Sequence, residues 1–144
     1  MPLLLTESDV RALLPMDHLI ATMESALADF SKRRVVQPLR TVLQIGSDKA
    51  FYGVMPAYIP SLPALGTKMV TVFHANTDRD MPSHLATITL LDPETGELQA
   101  LLDGRFITEA RTAACPTGIR AAGSTSGRRA WMAAVSTSGR PVRV

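Results

Sequence analysis

Acidic side chains are missing from the last thirty residues of this chain, from position 115 to position 144. All 13 Asp and Glu lie in residues 1–114 together with 10 of the 15 Lys and Arg, so that part has a net charge of −3. The remaining five arginines give the last part a net charge of +5. This break predicts a folded domain over residues 1–114 and an Arg/Ser/Gly-rich tail over residues 115–144, which is either disordered or frameshifted.

Cysteine and long apolar runs are also scarce. The single cysteine excludes an internal disulfide and indicates a reducing compartment. No apolar run approaches the roughly 20 residues that a membrane span needs, and the N-terminus has no basic segment of the secretory type. We therefore expect a cytoplasmic protein without a membrane partner. The tail arginines have only Trp131 as a base-stacking side chain, so nucleic-acid binding is disfavoured.

The residue pattern predicts an α+β fold, in which N-terminal helices pack on a mixed, largely antiparallel sheet that a truncated linker helix follows. One helix begins after the capping-box residue Thr6 and a second at Pro15. The predicted strands cover residues 36–45, 50–55, 65–73, 84–91 and 97–102, with a turn at 92–96. Residues 55–63 contain three prolines and predict a loop, and Pro116 predicts that a final helix from Ile107 stops before it.

Four side chains are candidates for a binding site. Lys68 lies inside an apolar strand, where its ammonium either reaches an edge of the sheet or meets an anion, because a buried unpaired charge is unfavourable. Arg40 and Arg111 suit bidentate carboxylate binding, although most arginines merely solvate a surface. His84 follows Pro82 at the start of a strand and is the best candidate among the histidines for lining a pocket.

Several chemistries are excluded by motif. The three histidines and the cysteine have no metal-ligand spacing. No G-x-G-x-x-G follows a strand, no P-loop carries its lysine, and no G-x-S-x-G is present. No residue is assigned a catalytic, cofactor-binding or metal-binding role from these patterns.

Five stretches, in their order and spacing, resemble the ornithine cyclodeaminase/mu-crystallin family over nearly all of residues 1–114. They are residues 37–42, 52–58, 67–71, 82–87 and 91–114. The phrases Gly-Val-Met-Pro-Ala-Tyr and Leu-Leu-Asp-Gly-Arg-Phe-Ile-Thr-Glu-Ala-Arg-Thr-Ala-Ala are most similar to the ketimine-reductase, mu-crystallin-like branch. The resemblance implies a substrate-binding and dimerisation domain of a homodimeric, NAD- or NADP-dependent enzyme that acts on small amino or imino acids. It also implies that Arg40, Lys68 and Arg111 hold the substrate carboxylate.

The sequence departs from the family's pattern after Ala114, where a Rossmann fingerprint is expected and absent. We therefore expect a fragment of a ketimine-reductase-like enzyme that does not itself bind the dinucleotide. Two alternatives stay open. In the first, the parent enzyme is an ornithine cyclodeaminase, which converts ornithine to proline and ammonia. In the second, the chain is a cofactor-free ligand-binding or dimerisation module.

Overall fold

A computed structural model describes residues 1–46 and 50–121, with side chains as far as Ala114. Its elements are β1 (Leu3–Leu5), α1 (Glu7–Leu13), α2 (Met16–Ser31), β2 (Thr41–Ile45), β3 (Ala50–Ile59), β4 (Ala64–Val72), a 3₁₀ turn (His74–Arg79), β5 (His84–Leu91), β6 (Leu98–Asp103) and α3 (Arg105–Ala121). The strands form one sheet in the order β1-β6-β5-β4-β3-β2. β1 runs parallel to β6, and every other described pair is antiparallel. The predicted α+β class with a mixed, largely antiparallel sheet is confirmed.

The capping box before α1 and the turn between β5 and β6 form the hydrogen bonds that the sequence predicts. At the start of α1 the backbone N–H of Asp9 donates to Thr6 Oγ1, and the Asp9 carboxylate accepts from the Thr6 N–H at 2.9 Å. The Thr6 hydroxyl, which also donates to the Asp9 carboxylate at 2.6 Å, and the Thr6 N–H lower the pKa of Asp9. Between β5 and β6, Asp92 Oδ1 accepts from the N–H groups of Glu94 and Thr95 at 2.8 and 2.9 Å. Both the capping box and the β5–β6 hairpin are therefore confirmed.

The predicted loop over residues 55–63 is wrong for residues 55–59, because β3 continues through Pro56 as far as Ile59, and right for residues 60–63, which form the turn before β4. Pro56 lies opposite Thr67 in an unbroken β3–β4 ladder. The neighbouring Tyr58 N–H donates to the Val36 carbonyl, on the side of β3 away from β4. Backbone groups two residues apart in a strand point the same way, so the Pro56 nitrogen also faces away from β4. The proline consequently removes no bond from the β3–β4 ladder.

The predicted strand over residues 36–45 is shorter in the structure. β2 begins at Thr41, and Val36 forms a separate bridge with Tyr58. The chain between them belongs to no strand. Pro38 within this stretch has no N–H to contribute to a ladder, which is one reason for the interruption.

The prediction that the last helix stops before Pro116 is also wrong, since α3 runs from Arg105 to Ala121. A proline inside a helix removes one N–H donor and is unfavourable by about 3 kcal/mol, but the bonds on either side of it persist. The domain boundary at residue 115 stays a prediction. Residues 122–144, which include most of the predicted tail, and residues 47–49 of a predicted turn lie outside the described part.

Helix α3 carries the small core. Leu19 of α2 packs with Ala110 and Ala114 of α3, and Leu14, Ile20, Met23 and Phe106 surround them. Leu19 and Met23 of α2 thus face this core, whereas Phe30 of the same helix is 51% exposed. Where α3 begins, a Cβ on Gly104 would lie 3.0 Å from the Ala86 Cβ of β5. The first turn of α3 is therefore in close contact with the sheet, which fixes the direction in which the helix presents Arg111.

Candidate functional site

A cleft of about 350 Å³ lies on one face of the sheet, over β3, β4 and β5. The strand register explains which side chains share it: Met55, Lys68 and Ile88 form one cross-strand row, and Ala57, Gly66 and Leu90 form the next. Helix α3 contributes Arg111. The full lining is Gln37, Met55, Ala57, Ile59, Ala64, Leu65, Gly66, Thr67, Lys68, Ile88, Leu90 and Arg111.

The floor of this cleft is apolar. Ala57 and Gly66 are opposite each other in the β3–β4 ladder, so Leu90 supplies most of the side-chain bulk of this row. A Cβ added to Gly66 would stand 2.6 Å from the Thr89 carbonyl oxygen, closer than real Cβ atoms approach. Glycine at position 66 is therefore required by the neighbouring backbone, and the Leu90 side chain, whose Cδ2 would lie 3.2 Å from that Cβ, covers this position.

Lys68 is the only cation that the sheet itself contributes to the lining of this cleft. In the described part of the chain no ion pair joins Lys68 to a carboxylate. Burial, together with the positive charges of Arg111 and Arg40, lowers the pKa of Lys68 to about 8, and burial is the largest of these causes. The ammonium therefore faces a partly desolvated cleft rather than open solvent, which favours the anion-binding alternative for Lys68.

Arg111 and Arg40 approach Lys68 from two sides. Arg111 lines the cleft from α3, next to the core residue Ala110. Arg40 lies immediately before β2, and its charge acts on Lys68 although its side chain is outside the lining. The structure thus brings together the three cations that the sequence singled out, two as lining residues and one within electrostatic reach.

His84 is near this site but not in its described lining. It is the first residue of β5 and pairs with Val72, on the same face as Ala86 and Ile88. Burial is the main cause that lowers its pKa, the Lys68 charge adds to this, and Glu109 on α3 acts in the opposite direction. A substrate contact of His84 stays a prediction.

Sequence reasoning missed Gln37 and Met55 as lining residues. Both belong to stretches that carried the family resemblance. Their common face with Lys68 follows only when Pro56 is accepted as a strand residue, because the alternation through residues 55, 57 and 59 then becomes visible.

A second concavity, of about 450 Å³, lies at the end of α2 beside Phe30, Ser31, Arg33 and Val35. Although it is larger, it offers a single cation and lies away from Lys68, so it is not the candidate site. No cluster of three potential metal ligands occurs among the residues that the structure describes. No helix in the described ranges has the length and apolarity to cross a membrane.

The connection between β6 and α3 does not fit the phosphate of a dinucleotide. Between β6 and α3, where a strand leads directly into a helix, the connection contains the single glycine Gly104. That glycine is packed against Ala86 and Ile88, so its backbone is closed to a phosphate. No group of this part of the chain is therefore assigned to a nicotinamide cofactor.

A six-stranded mixed sheet that bears cations above an apolar floor defines an α+β domain with a cationic cleft. The chain belongs to the ornithine cyclodeaminase/mu-crystallin family, whose model matches residues 1–121.

Relatives of known function share the domain. The ketimine reductase mu-crystallin of Rattus norvegicus is 46% identical over 99 residues, which is 67% of this chain and 32% of that protein. The Δ(1)-pyrroline-2-carboxylate reductase of Thermococcus litoralis, solved in complex with NADH and L-proline, is 38% identical with a TM-score of 0.74 over 78% of this chain and 35% of its own. An archaeal alanine dehydrogenase dimer with bound NAD is 29% identical with a TM-score of 0.72 over 78% of this chain and 34% of its own. The chain spans about a third of the length of these relatives.

Proposed function

We propose that residues 1–114 form the substrate-binding domain of an imino-acid (ketimine) reductase-like enzyme and bind the carboxylate of a small amino or imino acid. The observation that carries this proposal is that Lys68 and Arg111 share one apolar cleft while the charge of Arg40 acts on Lys68. Cations that face one space repel one another when it is empty. A bound carboxylate relieves this repulsion, and the charge-assisted hydrogen bonds orient it.

The cleft favours a reductase substrate over ornithine. Ornithine has a second ammonium group, which needs an acceptor when it is removed from water. Among the described lining residues no side chain is acidic. The first-named relatives are a ketimine reductase and a pyrroline-2-carboxylate reductase, which supports the same choice. A cyclic imino acid, with one carboxylate and a ring that is apolar apart from its nitrogen, matches a cationic wall and an apolar floor.

Lys68 has two properties that suit this role. With a pKa near 8 it is still largely protonated at pH 7, so it can donate hydrogen bonds to a carboxylate. Its pKa is also close enough to neutrality for exchange of a proton with a bound nitrogen. NAD or NADP supplies the hydride in enzymes of this type. Because none of the described residues is assigned to a nicotinamide cofactor, we propose that this chain alone does not turn over the cofactor.

A second copy of the chain is the partner that we propose. β2 is an edge strand in which every residue is exposed, including the apolar Val42, Leu43 and Ile45. Exposed apolar edge strands favour pairing with another chain. The dimer of the related archaeal dehydrogenase supports this choice. Light scattering should give a dimer mass, and Leu43→Lys should shift it towards the monomer. A wild-type monomer at high concentration would contradict this part of the proposal.

The carboxylate proposal is tested by calorimetry with L-proline and L-prolinamide, which have the same ring but differ in the carboxylate. We expect L-proline to bind and L-prolinamide not to bind. Lys68→Ala and Arg111→Ala should each weaken L-proline binding at least about tenfold, as expected for loss of a charge-assisted hydrogen bond. Arg33→Ala, at the exposed end of α2, is the matched control and should bind normally. Equal affinity for acid and amide would contradict the proposal.

Two further assays separate the alternatives. Measurable binding of L-ornithine with an affinity above that of L-proline would favour the cyclodeaminase alternative. Oxidation of NADPH by the 144-residue chain in the presence of Δ(1)-pyrroline-2-carboxylate would contradict the proposal that this chain alone does not turn over the cofactor. Carboxylate binding without any turnover is the result that we expect.

A further inference from the structure

The N–H direction along β3 singles out Pro56. In this strand the Tyr58 N–H donates to the Val36 carbonyl, and the Tyr58 carbonyl accepts from the Val36 N–H, both at 2.9 Å. The β3–β4 register is regular from Phe51 to Ile59, so the alternation is not interrupted. The backbone nitrogens of Val54 and Pro56 therefore face the β2 side as well. Val54 meets Thr41 there, but Pro56 has no hydrogen to donate.

The register on the β2 side slips at this point. Val36 is opposite Tyr58, and Thr41 is opposite Val54. Four residues, 37–40, thus face three, 55–57. An extra residue on one side of a ladder makes that chain bend out of the sheet, as in a β-bulge. The bend lies directly opposite the proline that lacks a donor.

The displaced stretch contains two groups of the site. Gln37 at its beginning lines the cleft next to Met55. Arg40 at its end lies immediately before β2, and its charge reaches Lys68. Leu39 between them is 97% exposed, as expected where the chain leaves the sheet. A regular ladder through residues 36–41 would instead hold these residues in line with β2.

We propose that Pro56 is a positioning residue: by withholding an N–H from the β2 side of β3, it keeps residues 37–40 out of the ladder and so holds Gln37 and Arg40 towards the cleft. The inference concerns the geometry of this segment, and only its effect on binding rests on the proposed function.

The wild-type chain provides a first test by amide hydrogen exchange. The Thr41 and Leu43 N–H groups face β3 within the paired region and should be protected, whereas the Leu39 N–H should exchange at least about tenfold faster. Protection of Leu39 equal to that of Leu43 would mean that the ladder is continuous, and the inference would be wrong.

The second test replaces the proline. Pro56→Ala restores a donor that faces the gap, and we expect its new N–H to be protected and Arg40 to move away from Lys68. Pro63→Ala, in the turn before β4, is the matched control because it also removes a proline constraint from the unfolded chain. Should Pro56→Ala fail to fold, Pro56→Thr offers the same donor with a residue that favours strands.

Two readouts distinguish positioning from a general loss of stability. The pKa of Lys68, followed by NMR of its side-chain carbon among the three lysines of the chain, should rise in Pro56→Ala and in Arg40→Ala but not in Pro63→Ala. L-Proline affinity should fall about tenfold in Pro56→Ala, and the double variant with Arg40→Ala should be no weaker than Arg40→Ala alone. Unchanged Lys68 pKa and affinity in Pro56→Ala would overturn the inference. If wild type itself does not bind L-proline, the proposed function fails, and the Lys68 pKa still decides the role of Pro56.

Discussion

Arg111 on helix α3 and Lys68 on strand β4 line the same cleft, and after burial the positive charge of Arg111 is the largest cause of the lowered pKa of Lys68. Two like charges in a partly buried space repel each other, and folding alone gains nothing from this arrangement. A bound carboxylate would reverse the sign of the interaction. Stability therefore does not explain why Lys68 and Arg111 lie together, whereas the proposed binding of a carboxylate does.

Replacement of Lys68 should separate stability from binding. Because the folded state lowers the pKa of Lys68 from 10.5 to about 8, the folded protein holds this proton less tightly than the unfolded chain does. The unfavourable effect on stability is complete below about pH 8 and is relieved as the pH rises towards 10.5. Lys68→Met should therefore raise the melting temperature at pH 7, by less at pH 9, and abolish L-proline binding. Lys32→Met, at the exposed end of α2, should change neither; a lower melting temperature for Lys68→Met would contradict the repulsion.

Carboxylate binding should depend on alkaline pH through the same group. As the pH rises through about 8, Lys68 loses its charge and the affinity for L-proline should fall. Bound carboxylate stabilises the charged form, so the midpoint of this loss should lie higher in the complex than in the free protein. Lys68→Arg keeps a charge at every accessible pH and should bind with no alkaline loss. Calorimetry between pH 6.5 and 9.5 measures both; a flat wild-type profile would show that Lys68 does not contact the ligand.

His84 should make the fold sensitive to mild acid. Its pKa is below the ordinary value of 6.5, mainly through burial, so the unfolded chain takes up the proton first as the pH falls. Stability should accordingly decrease below about pH 6.5, where the unfolded state gains protons that the folded state resists. His84→Gln should lose less stability than wild type between pH 7 and pH 5 in urea titrations. His18→Gln, on the exposed side of α2, serves as the control, and an identical acid response of all three proteins would refute the prediction.

The side chains of the cleft floor should limit the size of the acid. Ala57 faces Gly66 across the ladder, so the larger side chain of Ala57→Leu would occupy cleft space on this row, in which Leu90 is the other large side chain. We expect this variant to bind acetate as well as wild type does and to bind L-proline about tenfold more weakly, since one lost apolar contact of this size is comparable to 1.4 kcal/mol. Val54→Leu, on the opposite face of β3, is the control. Equal loss for acetate and L-proline would point to a distorted sheet instead of a filled cleft.

Local chemistry in the sequence predicted a large share of the fold. The Thr6–Asp9 capping box and the Asp92 turn depend on residues within four positions of one another, so their bonds follow from spacing alone. The three cations were also found from the sequence, although Lys68 and Arg111 were joined into one site only by resemblance. β1 was missed because three leucines carry no period, and its partner β6 is far along the chain.

Proline caused the main errors, at Pro56 and Pro116. A residue-by-residue rule treats proline as a breaker, but the consequence depends on which way its missing N–H would point. At Pro56 that direction is away from β4, and strand pairing on the other side decides the outcome. The pairing partners of a strand are a tertiary feature that the local sequence does not give. The same pairing places Met55 and Ala57 in the lining of the cleft.

Arg111 follows Ala110 directly on α3, and Ala110 is locked against Leu19 of α2. The position of the Arg111 side chain therefore depends on the packing of α3 against α2. A cavity introduced far from the cleft, by Leu19→Ala for example, should loosen the hold on a carboxylate along with the fold. By thermodynamic linkage, a tightly bound acid should in turn stabilise the packing of α2 against α3.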